Sequence, residues 1–480
     1  MKPFVPATLV EKYFAELSAI PRLSEYEKQA ANYIVTVASL LGLRCRRDDL
    51  HNVVIRKPAT PGYESAPEVM LQAHLDMVGV CAPDYPHDFT RNPLSLVVDE
   101  QGNLRAEGTT LGADDGYGCA YLLAIMEEDF PHPPLTLVFT SQEENGCYGA
   151  KALDCADIPA RRMIGLDVMG SDIEYTSTVS CYCSDRLTVR RACAAGPADG
   201  PTLRLAVHGL QPIHTGALVH PEQGNAIKIM ARLLKRLELA GVAFRLAEMA
   251  GGVAENYNPA RCEATIIAAD PSEAERVLRD ELRLIDAEVQ DGTQSLALDI
   301  EPARCGAALT EVDTLALVNL LYLMPSATQA IAPTDQRMIA TNNVGTVSLK
   351  EGAFVLVMSD RAKTVSCKDG VNRRVEALAH LCGASLSVEK RYEPWPYLEG
   401  SALKRETAAL MREVYGHDME ENICPGGLEI CDLLPKMTGL DCVMFAPIGG
   451  GCHTTAEWMN LESFNRVYEF LKTLLGRLKA

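Results

Sequence analysis

The chain has 480 residues, 47% of them hydrophobic and 23% charged, which suits a folded protein of two or three domains and excludes a largely disordered one. Its 45 basic and 64 acidic residues leave a formal net charge of −19, so phosphate backbones and anionic membranes repel it and nucleic acid is not expected as a partner. No run of about 18 apolar residues occurs that would cross a membrane, and the first residues lack a secretory pattern, so a cytoplasmic location is expected. The 16 cysteines are scattered and include no CxxC pair; they read as reduced, mostly buried thiols.

Residues 7–42 predict two helices, with Ser24 and Glu27 forming a capping box at the second. Strands and helices then alternate. VMLQAHLDMV (69–78) reads as a strand and YGCAYLLAIMEED (117–129) as a helix. LTLVFTSQEE (135–144) and RRMIGLDVM (161–169) read as further strands. Apolar strands alternating with helices predict a largely parallel sheet covered on both faces. Near residue 184 the pattern shifts to amphipathic strands (RLTVRRACAAG, TLRLAVHGL, CEATIIAA, FVLVMSDRA) and helices (NAIKIMARLLKRLELA, EAERVLRDELRLIDAEVQ, NRRVEALAHLC). The proline-rich EPWPYLEG marks a return, followed by a helix, the strand DCVMFAP and a closing helix. An α/β domain of residues 1–184 and 395–480, interrupted by an α+β domain of residues 185–394, is expected. No internal repeat is visible.

Several polar residues sit where apolar strands end. His74 and Asp76 lie two apart, so in a strand they share a face; a metal or a satisfied His–Asp pair both fit them. Asp114 and Asp115 lie in GTTLGADDGYG, a glycine-rich loop before a helix, where Asp115 suits an N-cap. Two carboxylates and no Gly-Lys-Ser/Thr make it a poor phosphate loop. Glu143 and Glu144 close one strand and Asp167 another, at the carboxyl ends where open α/β sheets bind ligands. Acids gathered in one crevice raise one another's pKa, and bound cations relieve that. His453, in PIGGGCHTTAEW, reads alone as a loop histidine.

Together these segments resemble the M20 metallopeptidases, in particular the aminoacyl-histidine (Xaa-His) dipeptidase branch, over nearly the whole chain. HTG at His214–Gly216, Gly251-Gly252 followed by Asn256 and Pro259, and Gly427–Glu429 fit the same family. The resemblance implies a three-layer α/β/α zinc-peptidase-like catalytic domain with an inserted lid that also carries dimer contacts, hence a homodimer. It implies two divalent ions, zinc with manganese or cobalt as alternatives. His74 would bind one and His453 the other, Asp114 would bridge them, and Glu144 and Asp167 would each complete one set. Glu143 would be the general base and Asp76 would orient His74 or tune the metal pair. His214 would stabilise the oxyanion, while Asn256, Arg361 and Glu429 would contact a small peptide substrate. Formally, two ions at +4 balance three ligand carboxylates and a hydroxide, which a partly dry crevice tolerates.

The chain departs from the family at three places. Asp115 stands where an asparagine is common, Met358 where relatives place an arginine, and Cys452 precedes His453. The Met358 departure keeps open an amidohydrolase of N-acyl amino acids beside the dipeptidase. A non-catalytic protein of the same fold is a further reading, opposed by the intact Glu143 and ligand set.

Overall fold

The computed structural model describes residues 1–168, 176–212, 215, 224–289, 295–333, 338–424 and 427–479. The chain divides into two compact units, one of Met1–Cys181, Tyr397–Ile423 and Leu428–Ala480, the other of Tyr182–Pro396 and Cys424–Gly427.

In the first unit, Val69–His74 and Leu135–Thr140 are buried along their whole length, as strands covered on both faces must be. They pair in parallel; Arg162–Gly165 continues the parallel set beside Val69–His74, and Asp441–Met444 beside Arg162–Gly165. Antiparallel strands flank this centre: Val53–Lys57 and Arg44–Arg47 on one side, Thr176–Cys181 on the other. Glu420–Cys424 forms the outer edge of the resulting eight-stranded sheet. The helix Ala113–Glu127 (ADDGYGCAYLLAIME) is apolar almost all round and buried, as suits a helix enclosed within a core. Phe14 and Tyr121 meet Phe464 there, joining it to the helices Leu9–Ser18 and Leu461–Arg477. A five-stranded sheet includes Leu96–Val98, Asn103–Ala106 and the hairpin of Gly449–Gly450 with Trp458–Asn460.

The expected capping box is not formed. The helix Lys28–Leu40 starts with Glu27 at its N-cap and no side-chain cap bond. Ser24 and Glu27 direct their side chains elsewhere, as described below.

Among the described residues, the second unit is built on an antiparallel sheet with four helices over one face. Leu187, Val189, Leu205, Val207, Leu356 and Met358 point to the helix side, where they form one core with the helices Ala226–Leu239, Pro271–Val289, Glu311–Leu323 and Val365–Leu381. Met358 is therefore a core residue, and Arg361, three positions on in the strand Ala353–Ala362, points to the opposite face.

A repeat invisible in the sequence emerges here. Thr202–His208, Ala226–Leu239, Phe244–Gly251, Cys262–Ala268, Pro271–Val289 and Ala297–Ala303 form a β-α-β-β-α-β half. Cys183–Ala192, Glu311–Leu323, Met338–Lys350, Ala353–Ala362, Val365–Leu381 and Ser385–Tyr392 form a second half of the same order. Both halves use the spatial strand order 4-1-3-2, and they join edge to edge where Met249–Gly251 pairs with Val347–Leu349. The first half is inserted after the opening strand of the second, which disguises the periodicity in the chain.

Candidate metal centre

Parallel pairing brings the carboxyl ends of the central strands to one edge of the sheet. His74 ends its strand there and is buried. Its Nε2 lies 3.2 Å from Asp114 Oδ1 and 3.7 Å from Asp167 Oδ1. Its Nδ1 lies 3.2 Å from the Asp76 carbonyl oxygen and 3.6 Å from Asp76 Oδ1. His453 Nε2, from the loop closed by the Gly449–Gly450/Trp458–Asn460 hairpin, is 3.0 Å from Glu144 Oε1 and 3.6 Å from Asp114 Oδ2. Asp114 thus turns one carboxylate oxygen toward each histidine.

Two groups of donors share Asp114. One is His74, Asp114 and Asp167; the other is Asp114, Glu144 and His453. Within each, the ligand atoms lie within 4.8 Å of one another, as they also do in a third group of His74, Glu143 and Glu144. Imidazole and carboxylate at this spacing suit a divalent ion such as zinc.

The electrostatics express crowding. Burial pushes the carboxyl pKa of Glu143 well up, and Asp167 adds to it. Burial likewise raises Asp167 and lifts Glu144 to about 7. Burial opposes a charge on His74, yet bonds to Asp114, Asp167 and Asp76 outweigh it and hold that imidazole well above its usual range. Bonds to Asp114 and Glu144 raise His453 to about 11. Acids sharing so little space need positive charge among them, and divalent cations meet that need better than two histidines do.

Buried polar groups fix the loops that present these side chains. The Asp76 carboxylate accepts the N–H of Glu143 at 3.0 Å, the N–H of Glu144 at 3.1 Å and the Ser24 hydroxyl at 2.8 Å. It therefore holds the adjacent glutamates through their backbone as well as facing His74. Glu27 accepts the Gln142 N–H and Asn52 the Ser141 N–H, so this turn is held at four successive amides. Asp115 accepts the Gly118 N–H, as a cap would, and with its other oxygen the His74 N–H.

Two further residues grip the Asp114 loop. Glu457, 2% exposed, accepts the N–H groups of Leu111, Gly112, Ala113 and Asp114. Arg22, also 2% exposed, donates to the carbonyls of Leu75, Asp76 and Gly112. Sequence reasoning missed Arg22, Asn52 and Glu457 and gave Ser24 and Glu27 another task. Their partners are backbone groups far away along the chain, and no local pattern announces them.

The remaining candidates are placed differently. Glu429 is 1% exposed and accepts hydrogen bonds from Gln72 and Thr140, with burial raising its carboxyl to about 8. Asn256 and Arg361 belong to the second unit. Asn256 is half-buried and accepts from Thr215 through its carbonyl; Arg361 is buried, which lowers its pKa. His214 lies outside the described residues. Among the described residues the sixteen cysteines form no disulfide.

Known proteins carry the same fold and sequence pattern. The signature of peptidase family M20/M25/M40 matches residues 70–477. The cytosol non-specific dipeptidase of Escherichia coli (strain K12) is 31% identical over 486 residues, covering 97% of each chain. The crystal structure of aminoacylhistidine dipeptidase from Vibrio alginolyticus superposes with a TM-score of 0.83 at 26% identity, over 97% of this chain and 96% of that one. A tripeptidase from Staphylococcus aureus shares the fold at a TM-score of 0.56 and 17% identity, with 98% of each chain covered. A match over more than four-fifths of the sequence and a full-length relative above 30% identity support one assignment: this chain belongs to peptidase family M20/M25/M40.

Proposed function

We propose that this peptidase is a two-metal dipeptidase of unblocked dipeptides, with Xaa-His and β-alanyl-His among its substrates. The observation that carries the reading is Asp114, whose two oxygens face His74 and His453 and so link two overlapping donor sets. The dipeptidase names of the Escherichia coli and Vibrio proteins support the same substrate class. His74 and Asp167 would hold one ion, His453 and Glu144 the other, and Asp114 both. Zinc suits these donors, and manganese or cobalt are the competing occupants. Bound there, the ions would supply Lewis acidity, polarising the scissile carbonyl and acidifying water.

Glu143 takes the proton of the attacking water and delivers it to the leaving amine. Burial raises its carboxyl pKa, the direction that suits a proton acceptor. Glu144, held beside it by the same Asp76 carboxylate, is left to ligate. Contacts of His214, Asn256 and Arg361 with substrate, a homodimeric assembly and a cytoplasmic location belong to the same proposal and rest on the resemblance. No described helix is long and apolar enough to cross a membrane.

The test is a panel of dipeptides, N-acyl amino acids and blocked dipeptides, assayed after reconstitution with zinc, manganese or cobalt. Turnover confined to unblocked dipeptides is expected. Preference for N-acyl amino acids would replace the reading with an amidohydrolase. A folded, fully metallated protein without amide hydrolysis would sink it.

A further inference from the structure

The loop Thr109–Asp114 precedes the regular part of its helix, so its shape is imposed from outside. The grip comes from two sides. Glu457 stands at the base of the hairpin loop that carries His453, immediately before the strand Trp458–Asn460. Its Oε2 accepts Leu111 N–H at 2.7 Å and Gly112 N–H at 2.9 Å; its Oε1 accepts Ala113 N–H at 2.9 Å and Asp114 N–H at 3.3 Å. One carboxylate thus satisfies four consecutive amides at a helix N-terminus, where negative charge is favoured. From the other side, Arg22 Nη1 donates to Leu75 O at 3.0 Å and Asp76 O at 3.1 Å, and Nη2 donates to Gly112 O. The carbonyls of Leu75 and Asp76 directly follow the end of the His74 strand. Gly112 itself has φ +62°, and a Cβ on it would stand 2.7 Å from Arg22 Nη2 and 2.7 Å from Met77 Sδ. The clamp therefore closes onto bare backbone.

Resting on the two-ion reading above, we propose that Glu457 and Arg22 are positioning residues, each tying the Asp114 loop to a different histidine. Glu457 sets the distance between Asp114 and His453; Arg22 sets that between Asp114 and His74. A bridging carboxylate must satisfy both ions at once, so each clamp governs one ion more than the other. Residues that orient ligands typically change metal affinity by about 10–100-fold when altered.

The experiment is a cobalt titration of the full chain, read by visible absorption and bound-metal stoichiometry, with H453A and H74A as references for loss of either ion. E457Q keeps the size of the side chain but turns an N–H group toward amide donors. It is expected to weaken one ion by at least about tenfold, with the residual spectrum resembling H453A. R22K keeps the charge but replaces the two-nitrogen fork that spans Leu75, Asp76 and Gly112 with a single donor atom on a shorter stem; its residual spectrum is expected to resemble H74A. Two ions bound by E457Q with unchanged affinity overturn the proposal. So does equal weakening of both ions in each variant, which would mark a merely structural role. Where circular dichroism shows E457Q misfolded, E457D, which keeps the charge but is one methylene shorter, is judged by the same outcomes. If the unaltered chain binds no pair of cobalt ions, the two-ion reading falls and the proposal falls with it; a pair bound normally in both wild type and E457Q removes the proposal alone.

Discussion

At the scale of single residues, the site was legible where a side chain contradicted its surroundings. His74, Asp114, Glu143, Glu144 and Asp167 are polar groups at the ends of apolar segments, which is visible without a structure. His453 was not legible alone, because a loop histidine contradicts nothing; only the combined pattern drew it in. Glu457 was hidden altogether, since it meets Leu111 across 346 residues of chain. The adjacent glutamates offer the sharpest test. E143A is expected to lower kcat by about 10²–10⁴-fold, the usual yield of a general base, while bound metal stays at wild-type stoichiometry. E144A is expected to lose one ion, and the reverse pattern in a metal assay would exchange their roles. In the second unit, burial and the neighbouring Asp185 raise Asp360 to about 7. Its Oδ1 accepts the Asp185 N–H, and Oδ2 has no hydrogen-bond partner among the described residues. An acid whose folded pKa exceeds its unfolded value binds more protons when folded. The contribution of Asp360 to stability therefore falls as pH rises from about 4 to about 7 and levels off above that. D360N is expected to flatten this segment of a pH-dependent unfolding curve; an unchanged slope would assign it to other groups.

At the scale of elements, period and length predicted the long helices and the central parallel strands, because those are buried in proportion to their apolar content. The sequence was silent on the strands Leu96–Val98, Asn103–Ala106 and Met338–Lys350. Each is partly solvated or polar, so its pairing comes from tertiary context. Ser24 and Glu27 show how a correct local pattern can be overruled: the spacing of a capping box is present, but Asp76 and Gln142 are better partners for groups that would otherwise stay buried and unpaired. Helix ends elsewhere are also satisfied from afar. Lys228 Nζ donates to the carbonyls of Leu321, Tyr322 and Met324 at the end of the helix Glu311–Leu323. Lys228→Met leaves three carbonyls without that donor and is expected to destabilise the second unit by about 2–4 kcal/mol. Calorimetry resolves this as a lower transition temperature for one unit, and a shift shared equally by both units would argue against it.

At the scale of the whole molecule, ions that bind only the folded chain stabilise it by mass action. Under the proposed assignment, free metal at a hundred times Kd adds about 2.7 kcal/mol. Stripping with a chelator is therefore expected to lower the first unit's unfolding temperature and abolish activity together, and readdition of metal to restore both; loss of activity without a thermal shift would place the metal elsewhere. The change of pattern near residue 184 lies close to the division between the two compact units at Cys181 and Tyr182. The duplicated half was not readable in the sequence, because its opening strand and the remainder are separated by the whole first half. That interruption bears on how the chain is made. In the first unit, Asp441–Met444 must slot between Arg162–Gly165 and Thr176–Cys181. In the second, Cys183–Ala192 waits for Ala353–Ala362 and Ser385–Tyr392 on its two sides. Chains emerge N-terminus first, and such distant pairings close late. On the ribosome, the second unit can finish before the first, and the edge left open beside Arg162–Gly165 needs shielding until then. His453 is the last of the proposed ligands to emerge, so under that assignment the donor set stays incomplete until its segment has been made.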